Sequence, residues 1–320
     1  MKRKARVALA FQGGGFPAGA VAAGAVRRLV EEGAFVDHDI HAFSGTSAGA
    51  LVAAACWGHT LKGSVAELPD ILKRQWLHFA WGMVPNAGVA RTEQLLDSLG
   101  RLNPLYDAYS ANIVQPFLRY LMKEWVLAYI PVEELRSLRD RAERVPGLAL
   151  GAADVLTGDI KVFTERDFSL EALLASGSLD EINGLTRIED GPNQGVYCDG
   201  AWGTNPPLVP LLDYGVDEIW LVQHFPKRRE AIPQSPAERK DRKDELWQNA
   251  LVEHELHFIG KVNEWLASGQ LRNDAGRYRP VTVKTMPMRK DLPSGSAFVN
   301  SPSFIEEMMA YGHEQAAIFL

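Results

Sequence analysis

The chain has 320 residues, of which 46% are hydrophobic and 23% charged, and its formal net charge is -6. This length allows one large domain or one domain with an appendage, and the composition is ordinary for a soluble globular protein. The negative charge argues against a nucleic-acid partner and against strong attraction to an anionic membrane surface, while weak or transient lipid contact stays open.

The cysteine content and the apolar runs predict a cytoplasmic protein. Cys56 and Cys198 lie far apart in sequence and give no disulfide framework, which favours a reducing compartment. No apolar run is long enough to span a bilayer. The basic residues 2–6 resemble the start of a signal peptide, but the apolar run that follows, residues 7–11, is too short for one. A first strand with a basic flank fits better.

The first fifty residues predict a parallel sheet with helices on both of its faces. Residues 7–11 and 40–44 are apolar runs typical of buried strands. A small-residue helix follows the first strand and ends near Gly33, and a second small-residue helix begins near Ala48. This strand-helix-strand-helix order is typical of α/β folds.

The turn after the second strand has the Gly-x-Ser-x-Gly pattern of a nucleophile elbow. Gly45, Ser47 and Gly49 supply the pattern. In such a turn the central residue is strained, and the flanking positions have no room for a Cβ atom. Ser47 would stand at the positive end of the following helix, where negative charge is stabilised. The pattern alone fits a catalytic serine or a plain strand-helix turn equally well.

Three glycines after the first strand, Gly13, Gly14 and Gly15, allow several interpretations. A Walker phosphate loop requires a lysine that the sequence lacks. A dinucleotide fingerprint fits the spacing from Gly13 to Ala18, but it requires an acidic residue at the end of the second strand, where the serine elbow stands. An oxyanion hole built from glycine amides is the interpretation we favour over a structural or nucleotide-binding loop.

Residues 57–130 are mostly helical in pattern and rich in aromatic side chains, with breaks at residues 69, 85–88 and 103–104. The rings either pack these helices against the sheet, or form a cap that lines an acyl pocket or touches lipid. The residues concerned are Trp57, Trp76, Phe79, Trp81, Met83, Tyr106, Tyr109, Phe117, Tyr120, Trp125 and Tyr129.

The middle of the chain predicts a hairpin and a second motif with a carboxylate. Residues 148–156 and 160–164 read as two strands, residues 170–176 as a short helix, and residues 180–195 as a loop. Asp199 then ends a short apolar strand and precedes a glycine. In α/β proteins the active site usually lies at the carboxyl ends of the strands, so this carboxylate is a candidate catalytic residue. An aspartate before a glycine is also common in ordinary turns.

The remaining residues predict two strands and two helices. Strands are expected at residues 217–223 and 281–286, a long helix at about 239–271 and a closing amphipathic helix at 304–320. His254 and His257 lie on the long helix and are expected to be packing or surface residues.

Taken together, these motifs resemble the patatin-like phospholipase family over roughly residues 5–225, particularly its bacterial members. The glycine loop from Gln12 to Gly15 is similar to the family's oxyanion loop, and the elbow to its nucleophile motif. The segments that resemble its hairpin, its serine-bearing segment and its catalytic-aspartate motif are Thr157-Gly158-Asp159, Ala175-Ser176-Gly177-Ser178, and Asp199-Gly200-Ala201 with Asn205-Pro206-Pro207-Leu208. The loop differs from the family pattern in placing Phe16-Pro17-Ala18 before Gly19, with no basic residue there.

The resemblance implies a three-layer α/β/α fold with a mostly parallel central sheet and a helical cap region. It implies a catalytic domain at 5–225 with a cap insertion at 57–130, and we expect residues 226–320 to form a helical extension packed on the same domain. The implied activity is hydrolysis of lipid or phospholipid carboxylic esters by a Ser-Asp dyad, with no cofactor or metal. Ser47 would be the nucleophile and Asp199 the base, with amides of Gly13, Gly14 and Gly15 in the oxyanion hole.

A dinucleotide-binding protein would use the glycine loop but leaves Ser47 and Asp199 unexplained. Two other functions also compete with this interpretation. One is an α/β-hydrolase esterase with a Ser-His-Asp triad, which would need a histidine from among His224, His254, His257 and His313. Only one strand precedes the strand that carries the serine, whereas several do so in that fold. The other is a lipid-binding relative without catalytic activity. The sequence predicts neither an oligomeric state nor the headgroup and acyl length of a substrate.

Overall fold

The computed structural model describes residues 3–82, 115–180, 182–272, 278–292 and 296–320. The strands are β1 (Arg6–Phe11), β2 (Asp39–Thr46), β3 (Gly147–Asp154), β4 (Ile160–Thr164), β5 (Thr186–Ile188), β6 (Gly195–Asp199), β7 (Glu218–Val222) and β8 (Thr282–Met286). The α-helices are α1 (Gly15–Glu31), α2 (Ala34–Asp37), α3 (Ala48–Lys62), α4 (Leu68–Gly82), α5 (Gln115–Tyr129), α6 (Val132–Arg139), α7 (Leu170–Ser176), α8 (Pro236–Ala267) and α9 (Pro302–Gln315).

The strands form one mixed, mostly parallel sheet in the order β5-β6-β3-β2-β1-β7-β8, and β4 pairs with β3. The five strands β3, β2, β1, β7 and β8 run parallel to one another. The strands β4, β5 and β6 join by antiparallel pairing at one side. The predicted mostly parallel α/β fold is therefore confirmed, and the carboxyl ends of β1 and β2 meet at one edge of the sheet.

The two faces of β1 belong to two different cores. Val7, Leu9 and Phe11 are buried in a cluster with residues of α1, α3 and α9. Ala8 and Ala10 point to the opposite face, where their cluster includes buried residues of α8. Since successive strand residues alternate between faces, an apolar run without polar breaks indicates a strand covered on both sides. Helices therefore cover both faces of the sheet, as the sequence predicts.

Part of the aromatic-rich stretch is core rather than cap. The helix α3 runs to Lys62, past residue 57, where the cap insertion was predicted to begin, and Trp57 is fully buried. Trp76 and Trp125 are also buried and pack edge to face, with ring centroids 5.4 Å apart. Phe117 and Tyr120 are exposed. Met83, Tyr106 and Tyr109 lie outside the described residues, as do the side chains of Phe79 and Trp81.

One local prediction is wrong, because the stretch 180–195 that we predicted as a loop contains the short strand β5. It pairs with β6 through three residues, from Thr186 opposite Tyr197 to Ile188 opposite Gly195. Such a short edge strand carries no periodic pattern of its own and depends on its neighbour for formation.

Residues 226–320 contribute to both faces and to the edge of the same sheet. The strand β8 extends the sheet beside β7, the buried residues of α8 pack on one face, and α9 packs on α1 on the other. Within the described part of the chain, no helix is both long enough and apolar enough to cross a membrane.

Candidate active site

Ser47 sits in a strained turn between β2 and α3. Its backbone angles are φ 56° and ψ -125°, and it alone among the described non-glycine residues has a positive φ. A Cβ on Gly49 would lie 2.1 Å from the Phe11 carbonyl oxygen, and one on Gly45 would lie 2.2 Å from the Gly49 carbonyl oxygen. Neither position can take a side chain, so the two glycines are sterically required. Strained backbone conformations of this kind are common at functional sites.

The elbow is fixed from a second element. The backbone N–H of Ser47 donates a hydrogen bond of 3.0 Å to Oγ of Ser176, at the end of α7. Ser176 is fully buried. The N–H of Ala50 donates to the Ser47 carbonyl oxygen at 2.9 Å, which starts α3. The Ser47 side chain therefore stands at the amino end of a 15-residue helix, the positive end of its dipole.

Asp199 is presented at the end of β6, where it lies opposite Ala152 of β3. Its side chain is fully buried. Its Oδ1 accepts a hydrogen bond of 2.8 Å from the N–H of Ala201, and its own N–H donates to the Ser178 carbonyl oxygen at 2.8 Å. A Cβ on Gly200 would lie 2.4 Å from the Gly151 carbonyl oxygen, so the residue after Asp199 must be small.

The structure brings Ser47 and Asp199 together. Burial raises the pKa of Asp199 to about 6, and the Ser47 side chain and then the Ala201 amide act against that rise. Among the described residues, Oδ2 of Asp199 has no hydrogen-bond partner, so its contact with Ser47 falls short of full hydrogen-bond geometry. A buried carboxylate with one free oxygen beside a serine hydroxyl can accept the proton of that hydroxyl.

The glycine loop lies directly against the elbow. A Cβ on Gly13 would come within 2.9 Å of the Ser47 Cβ. The Gly13 N–H, however, donates a 2.6 Å hydrogen bond to Oδ1 of Asn205, so this amide is already occupied. The amides of Gly14 and Gly15, at the start of α1, donate to no described residue. Of the three glycines predicted for an oxyanion hole, these two have amides that stay available.

Side chains cannot be added to this loop. A Cβ on Gly14 would lie 2.3 Å from Cδ2 of His224, and Gly15 has a φ of 73° and would meet the Ala297 carbonyl oxygen at 2.1 Å. The helix α1 begins at Gly15, so Pro17 falls in its first turn, where an N–H is not needed. The Phe16-Pro17-Ala18 segment, in which the loop departs from the family pattern, therefore lies in the first turn of α1.

None of the four histidines forms a triad with Asp199 in the structure. His224 is buried against Gly14, burial lowers its pKa to about 4, and its Nδ1 has no hydrogen-bond partner in the described part of the chain. A triad histidine would donate from Nδ1 to a carboxylate. His254 and His257 are exposed on α8, as predicted, and Nε2 of His313 lies 2.7 Å from Glu31.

Two polar side chains of α8 tie the loops of the site together. Gln248 accepts from Nδ2 of Asn205 at 2.7 Å and donates to the Ala201 carbonyl oxygen at 3.0 Å, so it links the glycine loop to the Asp199 turn. Glu255 accepts from the Thr204 hydroxyl at 2.7 Å, and its other oxygen accepts from the amides of residues 208 and 209 at 2.8 and 2.6 Å. This helix thus fixes the segment that follows Asp199.

Replacing Glu255 with glutamine is expected to lower the free energy of unfolding by about 1–3 kcal/mol, because a charged carboxylate that accepts three hydrogen bonds becomes a neutral amide with a single acceptor oxygen. We also expect a lower kcat, since the loop after Asp199 loses its anchor. The matched control is Glu253→Gln on the same helix, whose exposed carboxylate pairs with Lys227 at 2.6 Å and should change stability by less than about 1 kcal/mol. Urea unfolding and steady-state kinetics test both, and equal behaviour of the two variants would contradict this role.

Sequence reasoning missed the roles of Gln248 and Glu255. Nothing in the helical pattern of α8 distinguishes these two polar residues from its solvent-exposed ones. Asn205 and Ser176 do stand inside stretches that the sequence singled out, but their hydrogen bonds to Gly13 and Ser47 depend on tertiary structure.

Comparison with known proteins finds a matching family and several distantly similar structures. The family model for patatin-like phospholipase matches residues 9–212. A search of curated proteins finds no match. The crystal structure of VipD from Legionella pneumophila is similar at 12% identity and a TM-score of 0.37, covering 96% of this chain and 67% of that one. The type III effector protein ExoU is similar at 15% identity and a TM-score of 0.33, and the matched region is 98% of this chain but only 54% of that one.

Proposed function

Because this chain belongs to the patatin-like phospholipase family, we propose that it is a lipid acyl hydrolase in which Ser47 is the nucleophile and Asp199 the general base. The observation that carries the proposal is the pairing of a serine in a strained elbow with a fully buried carboxylate, one oxygen of which has no hydrogen-bond partner among the described residues. An ordinary strand-helix turn has no need of either feature.

Acylation begins when Asp199 accepts the hydroxyl proton of Ser47 and Oγ attacks the carbonyl carbon of the ester. The carbonyl oxygen becomes an oxyanion, which accepts hydrogen bonds from the amides of Gly14 and Gly15 at the positive end of α1. The tetrahedral intermediate then expels the alcohol, which takes the proton from Asp199. Ser47 is left as an acyl ester.

Deacylation follows the same path with water in place of Ser47. Asp199 takes a proton from water, the hydroxide oxygen bonds to the acyl carbon, and the same two amides hold the second oxyanion. The bond to Oγ of Ser47 breaks, Asp199 returns the proton to that oxygen, and the carboxylic acid leaves. One carboxylate thus serves as base and acid in both halves, without a histidine.

A fluorophosphonate probe tests the nucleophile. Such a probe phosphonylates an activated serine, and peptide mapping of the labelled protein is expected to find the phosphonate on Ser47. The loss of activity on a soluble nitrophenyl ester should be proportional to the fraction of the protein that carries the label. An active preparation that resists the probe, or a label on another serine, would contradict the proposal.

The pH profile tests the base. Asp199 must be ionised to accept a proton, and burial holds its pKa at about 6. We therefore expect kcat/KM to be constant above that pH and to fall about tenfold for each unit below it. An unperturbed aspartate would instead move the inflection to about pH 4. A profile that keeps its inflection near pH 6 in Asp199→Asn would assign the inflection to another group.

A further inference from the structure

A pocket with a volume of about 430 Å³ opens at the opposite end of the sheet from Ser47. Its lining residues are Arg3, Lys4, Arg6, His38, Asp39 and Arg144. Arg6 and Asp39 are the first residues of β1 and β2 and lie opposite each other in the sheet. Ser47 lies eight positions after Asp39, and β2 rises about 3.3 Å per residue, so this pocket is about 25 Å from the elbow and is separate from the proposed active site.

The lining carries four cationic side chains and one carboxylate. Arg144 is paired with Asp39 at 2.6 Å, and Arg3 with Asp217 at 2.7 Å. In the described part of the chain, no carboxylate lies within ion-pair distance of Lys4 or Arg6. The ammonium of Lys4 donates to the Val36 carbonyl oxygen, and the guanidinium of Arg6 makes only a 3.5 Å contact with the Gly215 carbonyl oxygen.

The lining therefore carries more positive than negative charge. The pKa of the neighbouring His41 is lowered first by burial and next by the charge of Arg144, whereas Asp39 acts in the opposite direction and Arg6 has a smaller lowering effect. This local excess of positive charge contrasts with the net charge of -6 of the whole chain. Cations held without counter-charges in a pocket favour an anion there.

We propose that this pocket binds a phosphate-bearing anion, with Lys4 and Arg6 as its main ligands. A guanidinium offers two parallel N–H donors to phosphate oxygens, and an ammonium adds a point charge. The volume is ample for a phosphate or pyrophosphate group. The phosphate can belong to a free anion or to a lipid headgroup, and the inference does not depend on the proposed hydrolase activity.

Calorimetric titration of the full chain with pyrophosphate, and flotation with phosphatidylcholine vesicles with or without phosphatidic acid, test the pocket. The variant Lys4→Gln/Arg6→Gln is expected to lose affinity by about tenfold or more. The matched control, Arg136→Gln/Lys261→Gln, removes two exposed cations that pair on their own helices and should bind like the native chain. Both variants should hydrolyse a soluble ester normally.

Each outcome decides the question. Pyrophosphate binding that only the pocket variant loses supports a free anion as ligand, and binding confined to phosphatidic acid vesicles with the same loss supports a headgroup. If the native chain binds neither, or if both double variants lose affinity equally, the proposal is wrong. Should the pocket variant fail to fold, Lys4→Gln alone provides the same comparison, because Lys4 is exposed.

Discussion

Replacing Ser47 with alanine is expected to reduce ester hydrolysis by at least about 10³-fold, because the acyl group then has no oxygen to bond to. The substitution removes one hydroxyl and leaves the elbow intact, since alanine at this position meets the same backbone requirement as serine. Ser47 is only half-buried, so no buried polar partner is lost apart from its contact with Asp199. Steady-state kinetics on a short-chain nitrophenyl ester measure the loss.

The control for this variant is Ser137→Ala, which removes a hydroxyl from the exposed face of α6. It should hydrolyse the ester at the native rate and react with the fluorophosphonate probe, whereas Ser47→Ala should do neither. Circular dichroism and the thermal midpoint establish that both variants are folded. Substantial turnover by folded Ser47→Ala would remove this residue from the role of nucleophile.

The parts of the site that the sequence predicts are those with local steric causes. Gly45 and Gly49 are required by backbone contacts within the elbow and with the end of β1, and these contacts accompany any turn of this type. Asp199 could be singled out because a short apolar strand ends there and a glycine follows. Strand bounds were predicted to within a residue or two for β1, β4 and β7. The strands β1 and β7 are nearly unbroken buried apolar runs, whereas β4 was placed by the tight turn that precedes it.

The parts that the sequence does not predict depend on contacts between distant segments. The Gly13 amide donates to Asn205, a residue 192 positions away in the sequence. This hydrogen bond changes which amides are available to donate to an oxyanion. The role of Glu255 requires knowing that α8 packs across the loop after Asp199. A glutamate in a long charged helix is an exposed residue by pattern alone, so composition and periodicity carry no sign of its role.

These contacts also bear on the predicted division of the chain at residue 225. Gln248 and Glu255 on α8 form hydrogen bonds with two loops of the site. The Ala297 carbonyl oxygen lies so close to Gly15 that a side chain there would clash with it. We therefore propose that the catalytic unit includes residues 226–320, in contrast to an extension that only covers the sheet. A fragment ending at residue 225 would lack β8 and every hydrogen bond from α8.

The second large effect is expected for Asp199→Asn, which should lower kcat by about 10²–10⁴-fold without unfolding the protein. Asparagine keeps an oxygen to accept the 2.8 Å hydrogen bond from the Ala201 N–H, but it cannot take the proton of Ser47. The fold should gain stability at neutral pH. Because the folded-state pKa of Asp199 is about 6, above its unfolded value, ionising this buried carboxyl costs stability as pH rises from about 4 to about 6.

That cost is on the order of 3 kcal/mol at pH 7 and disappears below about pH 4, where the carboxyl is protonated in both states. Urea unfolding should therefore find Asp199→Asn more stable than the native chain at pH 7, with the difference shrinking as the pH falls. A lower activity joined to a higher stability separates loss of a base from loss of the fold. If Asp199→Asn instead keeps its activity while His224→Gln or His254→Ala loses it, a histidine is the base and the Ser-Asp assignment is wrong.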